Sequence, residues 1–507
     1  MTGLRQLYPH QVEALDRLRA SLMAGHSRPL LQAPTGAGKT VIAAHIVSGI
    51  HRRGKRVCFC VPALSLIDQT FDRFVENGIY PADMGVIQGD HHWRRPSAPI
   101  QIATAQTLAR REFPDVDFVV VDEAHIRHEA ISNWMAEKPG VRFIGLSATP
   151  WSTGLGKLYD DLIKPVSLAW LIDNGYLSKF RVFAPSKPDL DGVRTVKGDY
   201  HEGDLDERMN QPKLVADIVQ TWLARSDRQP TLCFAVNRRH ARSIHDQFVE
   251  CGVPAEYIDA NTPREERDAI GKRLAAGDVQ VVVNIGTLTT GIDWDVRCLI
   301  LARPTKSPSL FVQIIGRALR TAPGKQEALI LDHSDTHMRL GLVTDIDFDA
   351  LDTGRKDKAS ERKAKEKSTL LPKCCPSCTA LMPVMSKSCV ACGYVMPILP
   401  GIREVDGDLV EMGRDGKPTG RVIDMLAKLP RRSVYAQLNH IRWQTGKKAG
   451  WVAHKYREIY GNWPSNSFGS LDTEDPTPEV RAWVRSQNIR YGKWRQAHNG
   501  GGAGHAV

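Results

Sequence analysis

No segment of this 507-residue chain approaches the roughly 18 consecutive apolar residues that a membrane-crossing helix needs. The opening MTGLRQLYPHQVEAL also lacks the basic-then-apolar layout of a secretory signal, so a cytoplasmic protein with no membrane partner is expected. Acidic residues run short in one region only. Residues 1–354 hold 42 Lys and Arg against 43 Asp and Glu, whereas residues 355–507 hold 26 against 14, so the net +11 comes from the last third. That asymmetry suits contact with a phosphate backbone; a merely solubilising tail is the plainer alternative. The ten cysteines, in a chain expected to stay inside the cell, argue for metal ligands or reduced core thiols rather than disulfides. Cys58, Cys60, Cys233, Cys251 and Cys298 stand singly in or beside apolar segments and are expected to be small buried hydrophobes.

Short apolar runs alternate with helical stretches through the first two thirds. PLLQAP, RVCFCVP, IQIAT, FVVVDE and RFIGLSATP form one series; PTLCFAV, AEYIDA, VQVVVNI, CLILAR and EALILDH form a second. Such runs suit strands buried on both faces of a parallel sheet. NRRHARSIHDQFVECG and PREERDAIGKRLAAG read as amphipathic helices ending at glycine. The fold class is therefore α/β, with two parallel-sheet domains in tandem. GRKDKASERKAKEKS (354–368) has no apolar periodicity and reads as a solvated linker or exposed helix. DGDLVEMGRDGKP reads as a hairpin, and NGGGAGHAV as a disordered tail.

Residues 33–40 read APTGAGKT. The general phosphate-loop pattern wants glycine at the first of these positions, where this chain has Ala33. The context still fits, because the loop follows an apolar run and opens the helix KTVIAAHIVSGI. Gly36 and Gly38, after Thr35, would let backbone N–H groups approach phosphates at a helix N-terminus. Lys39 would meet the β- and γ-phosphates and Thr40 would hold Mg2+. In VVVDEAH (119–125) an apolar strand delivers two adjacent carboxylates. Asp122 would bind Mg2+ and Glu123 would orient and deprotonate a water. The two motifs are spaced so that their strands could lie side by side.

APTGAGKT, VDEAH and LSATP (146–150) together resemble motifs I, II and III of the DEAH-type superfamily 2 helicases, whose loop commonly begins with alanine. VNIGTLTTGID (283–293) resembles motif V and QIIGRALR (313–320) motif VI. The resemblance implies two tandem RecA-like domains with ATP and Mg2+ in the cleft between them. It places Arg317 and Arg320, joined by Gln313, on the wall facing the phosphate loop. Gly291 and Asp293 would link the nucleotide to the strand-contacting surface, and His125, Ser147 and Thr149 would couple it to domain closure. LYPHQVEAL (7–15) resembles the adenine-recognising element: Gln11 matches, while Tyr8 and His10 replace the usual Arg and Tyr. An ordinary first-helix face is the alternative. VPALSLIDQT (61–70) resembles motif Ia, IATAQTL (102–108) the next backbone-contacting motif, and AVNRRHARSIHDQF (235–248) motif IV. By that resemblance Pro62, Gln69, Thr104, Gln106 and Arg238 would contact nucleic acid without reading sequence; helix caps are the alternative for several of them.

CPSC-x10-CVACG places Cys375, Cys378, Cys389 and Cys392 as two C-x-x-C knuckles, whose four thiolates suit a closed tetrahedral Zn2+ site. The short spacer fits a zinc ribbon, and Cys374 is a bystander. Residues 434–464 interleave Trp443, Trp451 and Trp463 with Arg442, Lys447, Lys448, Lys455 and Arg457. Stacking of single-stranded bases is one reading, and a small helical core holding the tryptophans is the other. This segment resembles tails on phage and prophage superfamily 2 helicases. The boundaries expected are 1–165 and 166–354 for the RecA-like domains, 355–371 for the linker and 372–400 for the zinc ribbon. A basic, mostly helical domain at 401–496 and a tail at 497–507 follow.

The function this implies is an ATP-dependent translocase, a DNA helicase remodelling forked or branched DNA in replication, recombination or repair. Its location would be the bacterial or phage-infected cytoplasm, near the nucleoid. Partners would be single-stranded or branched DNA, and replication or recombination proteins reached through the C-terminal region. An RNA helicase, a packaging ATPase and a non-unwinding zinc-ribbon scaffold are the alternatives. The second domain with QIIGRALR speaks against packaging.

Overall fold

The computed structural model describes residues 4–184, 188–196, 198–289, 293–354, 371–396, 426–470 and 472–499. Most of the charged segment, the hairpin around DGDLVEMGRDGKP, and Gly291 lie outside the described residues. The chain divides into two compact units, Met1–Ile398 and Leu399–Val507.

The first lobe of unit 1 is a parallel sheet of β1 Pro29–Gln32, β2 Val57–Val61, β3 Met84–Val86, β4 Ile100–Thr104, β5 Phe118–Val121, β6 Arg142–Ser147 and β7 Asp161–Ile163. Its strand order is β3-β4-β2-β5-β6-β1-β7. Every residue of β1, β2 and β4 is buried, polar Gln32, Gln101 and Thr104 included, as in strands covered on both faces by helices. Because the strands are parallel, the turns after β1, β2, β4, β5 and β6 open on one edge, where α/β sheets bind ligands. The phosphate-loop strand and the DEAH strand are not neighbours: β6 pairs with both β1 and β5 and lies between them. That insertion carries Ser147 and Thr149 in between the two motifs.

The second lobe contains β8 Lys179–Phe183, a small hairpin of β9 Thr195–Val196 and β10 Asp199–Tyr200, then β11 Thr231–Phe234, β12 Ala255–Ile258, β13 Val281–Asn284, β14 Cys298–Leu301 and β15 Glu327–Asp332. The sheet runs β12-β13-β11-β14-β15-β8 in parallel. It then continues, antiparallel, into β17 Ala380–Met382 and β16 Lys373–Cys374, so the cysteine ribbon extends the sheet of the second lobe. Helices Arg238–Glu250 and Arg264–Ala276 form where the amphipathic spacing places them.

One apolar cluster joins the lobes, with Leu31, Ala33 and Leu146 of the first and Val312, Ile315 and Leu319 of the second. Past helix Thr336–Leu340 the chain returns to the first lobe. There Lys164 bonds Asp347 at 2.7 Å, the Gly154 N–H donates to Asp352 at 3.1 Å, and Trp151 packs on Phe348 with ring centroids 5.0 Å apart.

Unit 2, among the described residues, packs helices Arg431–Thr445, Ala449–Tyr460 and Pro478–Asn499 around Val434, Leu438, Val452, Tyr456 and Trp483. The last helix continues through residues 497–499, where the sequence suggests a tail. No described helix is long and apolar enough to cross a membrane. Cys58, Cys60, Cys233 and Cys298 are buried, but Cys251 is exposed because it terminates a surface helix.

Candidate active site between two lobes

The phosphate loop turns on two left-handed glycines, Gly36 (φ 85°) and Gly38 (φ 81°), and the helix Lys39–His51 starts directly after them. Lys39 lies against both carboxylates of the DEAH turn: its Nζ is 2.9 Å from Asp122 Oδ1 and hydrogen-bonded to Glu123 Oε1. Glu123 holds a positive φ of 48°, which turns its carboxylate back toward the loop. Burial alone would raise the Glu123 carboxyl, but Lys39 and then His125 hold it well below the usual range. Burial would likewise lower Lys39, and Asp122 and Glu123 outweigh it, so the ammonium is firmly charged.

Glu123 continues into a bridge between the lobes. His125 Nδ1 lies 3.3 Å from Glu123 Oε2 and 3.0 Å from Ser147 Oγ, and His125 Nε2 lies 3.4 Å from Gln313 Nε2. A carboxylate can only accept, so the proton belongs on Nδ1, leaving Nε2 to accept from the Gln313 amide. Ser147 Oγ in turn accepts the Thr149 N–H at 3.0 Å, and both residues are fully buried.

Helix Pro308–Ala318 of the second lobe brings Gln313 and Arg317 to the opposite wall. Arg317 is buried; burial first, then the neighbouring Arg320, pushes its guanidinium down to about 9, against the pull of Glu123. Arg320 pairs with Asp293 at 2.6 Å. The backbone approach is close: a Cβ on Gly316 would lie 2.7 Å from the Cβ of Thr35. These groups surround one cleft of about 520 Å³, lined from one lobe by Thr35, Gly36, Gly38, Lys39, Thr40, Asp122 and Glu123 and from the other by Asp293, Gln313, Arg317 and Arg320. Carboxylate and hydroxyl oxygens from Asp122 and Thr40 are the hard donors that Mg2+ prefers.

Tyr176, Arg73 and Thr289 also line this cleft and escaped the sequence reading. Tyr176 belongs to an aromatic cluster with His10, at 4.6 Å, and Trp170, at 5.7 Å. Gln11 is buried: its amide donates to the Ala37 carbonyl at 3.0 Å and its oxygen accepts the Tyr8 N–H at 3.0 Å. In this arrangement Gln11 braces the phosphate loop. The His10 ring bonds the same carbonyl at 3.1 Å, and burial lowers its pKa.

The expected nucleic-acid residues fall in different places. Gln69 lines the same cleft between the lobes, on the helix Ile67–Glu76. Thr104 is fully buried and its hydroxyl caps a short helix by accepting the Thr107 N–H at 3.1 Å. Gln106 is exposed, Pro62 is half-buried, and Arg238 pairs with Asp259 at 3.0 Å. In unit 2 Trp443 and Trp463 are exposed at 69% and 52%, with Arg442 and Arg457 at 5.0 and 4.6 Å from their ring centroids. Trp451 is half-buried.

The four expected metal ligands converge. Sulfur–sulfur distances are 3.7 Å for both Cys375–Cys392 and Cys378–Cys389. Zinc–sulfur bonds of about 2.3 Å at tetrahedral angles require sulfurs about 3.8 Å apart, so the donor set fits Zn2+. Asp68, His91 and His92 also cluster. There, however, the Trp93 N–H donates to His91 Nδ1 at 3.2 Å, which puts the His91 proton on the nitrogen facing Asp68 and removes it as a ligand.

Residues 5–152 match the family described as type III restriction enzyme, res subunit, and residues 211–322 match the helicase conserved C-terminal domain. A 51.5 kDa protein of a Lactococcus phage is 28% identical over 377 residues, covering 72% of this chain and 77% of that protein. The provisionally named ATP-dependent helicase IRC3 of Saccharomyces cerevisiae is 26% identical over 365 residues, but the match spans only 51% of its length. The ATP-dependent DNA helicase uvsW of Enterobacteria phage T4 is 24% identical, covering 66% of this chain and 70% of its own. Among solved structures, a fragment assigned to the HsdR subunit of a type I restriction enzyme from Vibrio vulnificus shares the fold (TM-score 0.52, 22% identity, 70% of this chain and 68% of that one).

Proposed function

The chain belongs to the superfamily 2 helicases, ATP-hydrolysing enzymes that act on nucleic acid, and from that premise we propose that it moves along DNA and remodels forked or branched substrates. The observation that carries this reading is the burial of Arg317, from the second lobe, in the cleft that holds Lys39 and Glu123 of the first. Lys39 would exchange its carboxylate partners for the β- and γ-phosphates of ATP. Glu123, ionised by the surrounding charge, would then be free to orient water and take its proton. Mg2+, when bound by Thr40 and Asp122, supplies charge neutralisation on the phosphates. Arg317 and Arg320 would stabilise charge on the transferring phosphoryl group, an effect on the order of 10³–10⁵ in rate.

The His125–Gln313 contact would report the state of Glu123 to the second lobe, so that hydrolysis changes how the lobes fit together. Pro62, Gln106 and Arg238 would then follow one strand, with the exposed Trp443 and Trp463 stacking bases and the basic C-terminal region adding grip. The T4 relative, named a DNA helicase, supports DNA as the substrate. The test is ATPase stimulation by single-stranded DNA, RNA, forked duplex and four-way junction, beside strand displacement on the branched substrates. Greatest stimulation by forks or junctions, lost in Lys39→Ala, is expected; equal stimulation by RNA would sink the DNA assignment.

A further inference from the structure

We infer that the four-cysteine ribbon is a positioning element of the ATPase, holding the backbone of Arg320 through strand β8. This rests on the role proposed above for Arg320.

The path can be followed residue by residue. β17 of the ribbon pairs with the last residues of β8, Ala380 opposite Phe183 and Leu381 opposite Val182. Cys375, Cys389, Ala380 and Met382 are buried in one cluster with Phe183, Val215 and Leu331. Arg225 ties the two together: its guanidinium lies 4.3 Å from the Phe183 ring centroid and donates to Thr379 Oγ1 at 3.5 Å. The ribbon therefore shares the apolar core of the second lobe. Without it, the outer side of β8 would be an unpaired edge.

The other end of β8 reaches the active site. Just before the strand, Leu177 bridges Arg320, the Ser178 N–H donates to the Leu319 carbonyl at 2.7 Å, and Ser178 Oγ donates to the Arg320 carbonyl at 3.2 Å. Leu177 also lines the nucleotide cleft. From Phe183 to Leu177 an extended strand covers roughly 20 Å. A rigid strand, paired to β15 on one side and to the ribbon on the other, thus connects the cysteine cluster to the carbonyl of Arg320. The same geometry gives a zinc ribbon a task that does not require it to touch nucleic acid.

The experiment uses the full-length protein with zinc bound, stripped by chelation and restored. Amide hydrogen exchange over residues 179–183 and 319–320 is read beside kcat and the ATP KM. Zinc removal is expected to speed exchange in both segments by at least roughly tenfold. It should lower kcat roughly tenfold to a hundredfold with KM changed less than about twofold, and zinc should restore both. Leu381→Pro, which disrupts the pairing with β8 but leaves all four thiols, should keep one zinc per chain and reproduce both effects. Unchanged exchange at 319–320 in the stripped protein, wild-type kcat in Leu381→Pro, or a loss confined to DNA affinity would overturn the inference. Arg320→Ala separates the two readings: if it leaves kcat untouched, the role of Arg320 fails while the exchange coupling can still be present.

Discussion

Replacing Gly316 by alanine tests how closely the two lobes must meet. The added methyl would sit 2.6 Å from Cγ2 and 2.7 Å from Cβ of Thr35, whereas carbon atoms settle at about 3.5–4.0 Å. Thr35 is buried and β-branched, so it cannot swing aside, and the lobes must separate by roughly 1 Å. Arg317 is the next residue and moves with the helix. A displacement of that size at a reacting centre can cost about 10² in rate, or roughly 2.7 kcal/mol of barrier. Alanine in a helix interior is at the same time about 1 kcal/mol better than glycine, so the second lobe itself should not be weakened. Gly316→Ala should therefore bind ATP normally, keep or raise its thermal midpoint, and lose about a hundredfold in kcat under saturating DNA. Adding Thr35→Ala should restore little, because the Cβ atom 2.7 Å away remains. Hydrolysis at the wild-type rate in Gly316→Ala would refute the claim that these lobes close this tightly during the reaction.

Glu123→Gln should retain nucleotide binding and lose hydrolysis by about 10²–10⁴, measured by fluorescent-nucleotide titration beside phosphate release. Asp332 is fully buried, 2.8 Å from His337 Nδ1; burial alone would raise its carboxyl, but His337, with help from Ser334, holds it down at about 2. A folded pKa below the unfolded one near 3.9 stabilises above about pH 4, and that stability is lost as pH falls toward 2. Urea unfolding should show Asp332→Asn roughly 2–3 kcal/mol less stable at pH 7, the difference shrinking across that window. If the C-terminal basic region grips phosphates, deleting residues 400–507 should flatten the salt dependence of DNA binding, and Trp443→Ala should weaken single-strand affinity by about 1–3 kcal/mol. An unchanged salt slope would count against that role.

Much of this architecture was legible in the residues. All ten apolar runs became strands, nine of them largely buried and β12, at the edge of its sheet, half-buried, and the glycine loop, DEAH turn and QIIGRALR helix line one cleft. What escaped was non-local or short. β8 reads KFRVF, with charged residues breaking its apolar pattern, and nothing near it in sequence announces pairing with a ribbon some 200 residues away. Gln11 matches a base-reading pattern, yet both ends of its amide are satisfied by backbone groups brought together only by the fold. Gly316 looked like part of a motif; its close approach to Thr35, distant in the chain, is visible only in three dimensions. The placement of β6 between β1 and β5 depends on crossover order, which strand spacing does not encode.

The return of the chain to the first lobe after helix Thr336–Leu340 has a mechanical meaning. The polypeptide crosses between the lobes twice, once outward past Lys164 and once back through Asp347 and Asp352, and Lys164 fastens the two crossings together. Two pins set side by side define an axle. A swing about it would open the cleft that Lys39 and Arg317 both line, whereas sliding or twisting would have to break the Lys164 and Gly154 contacts.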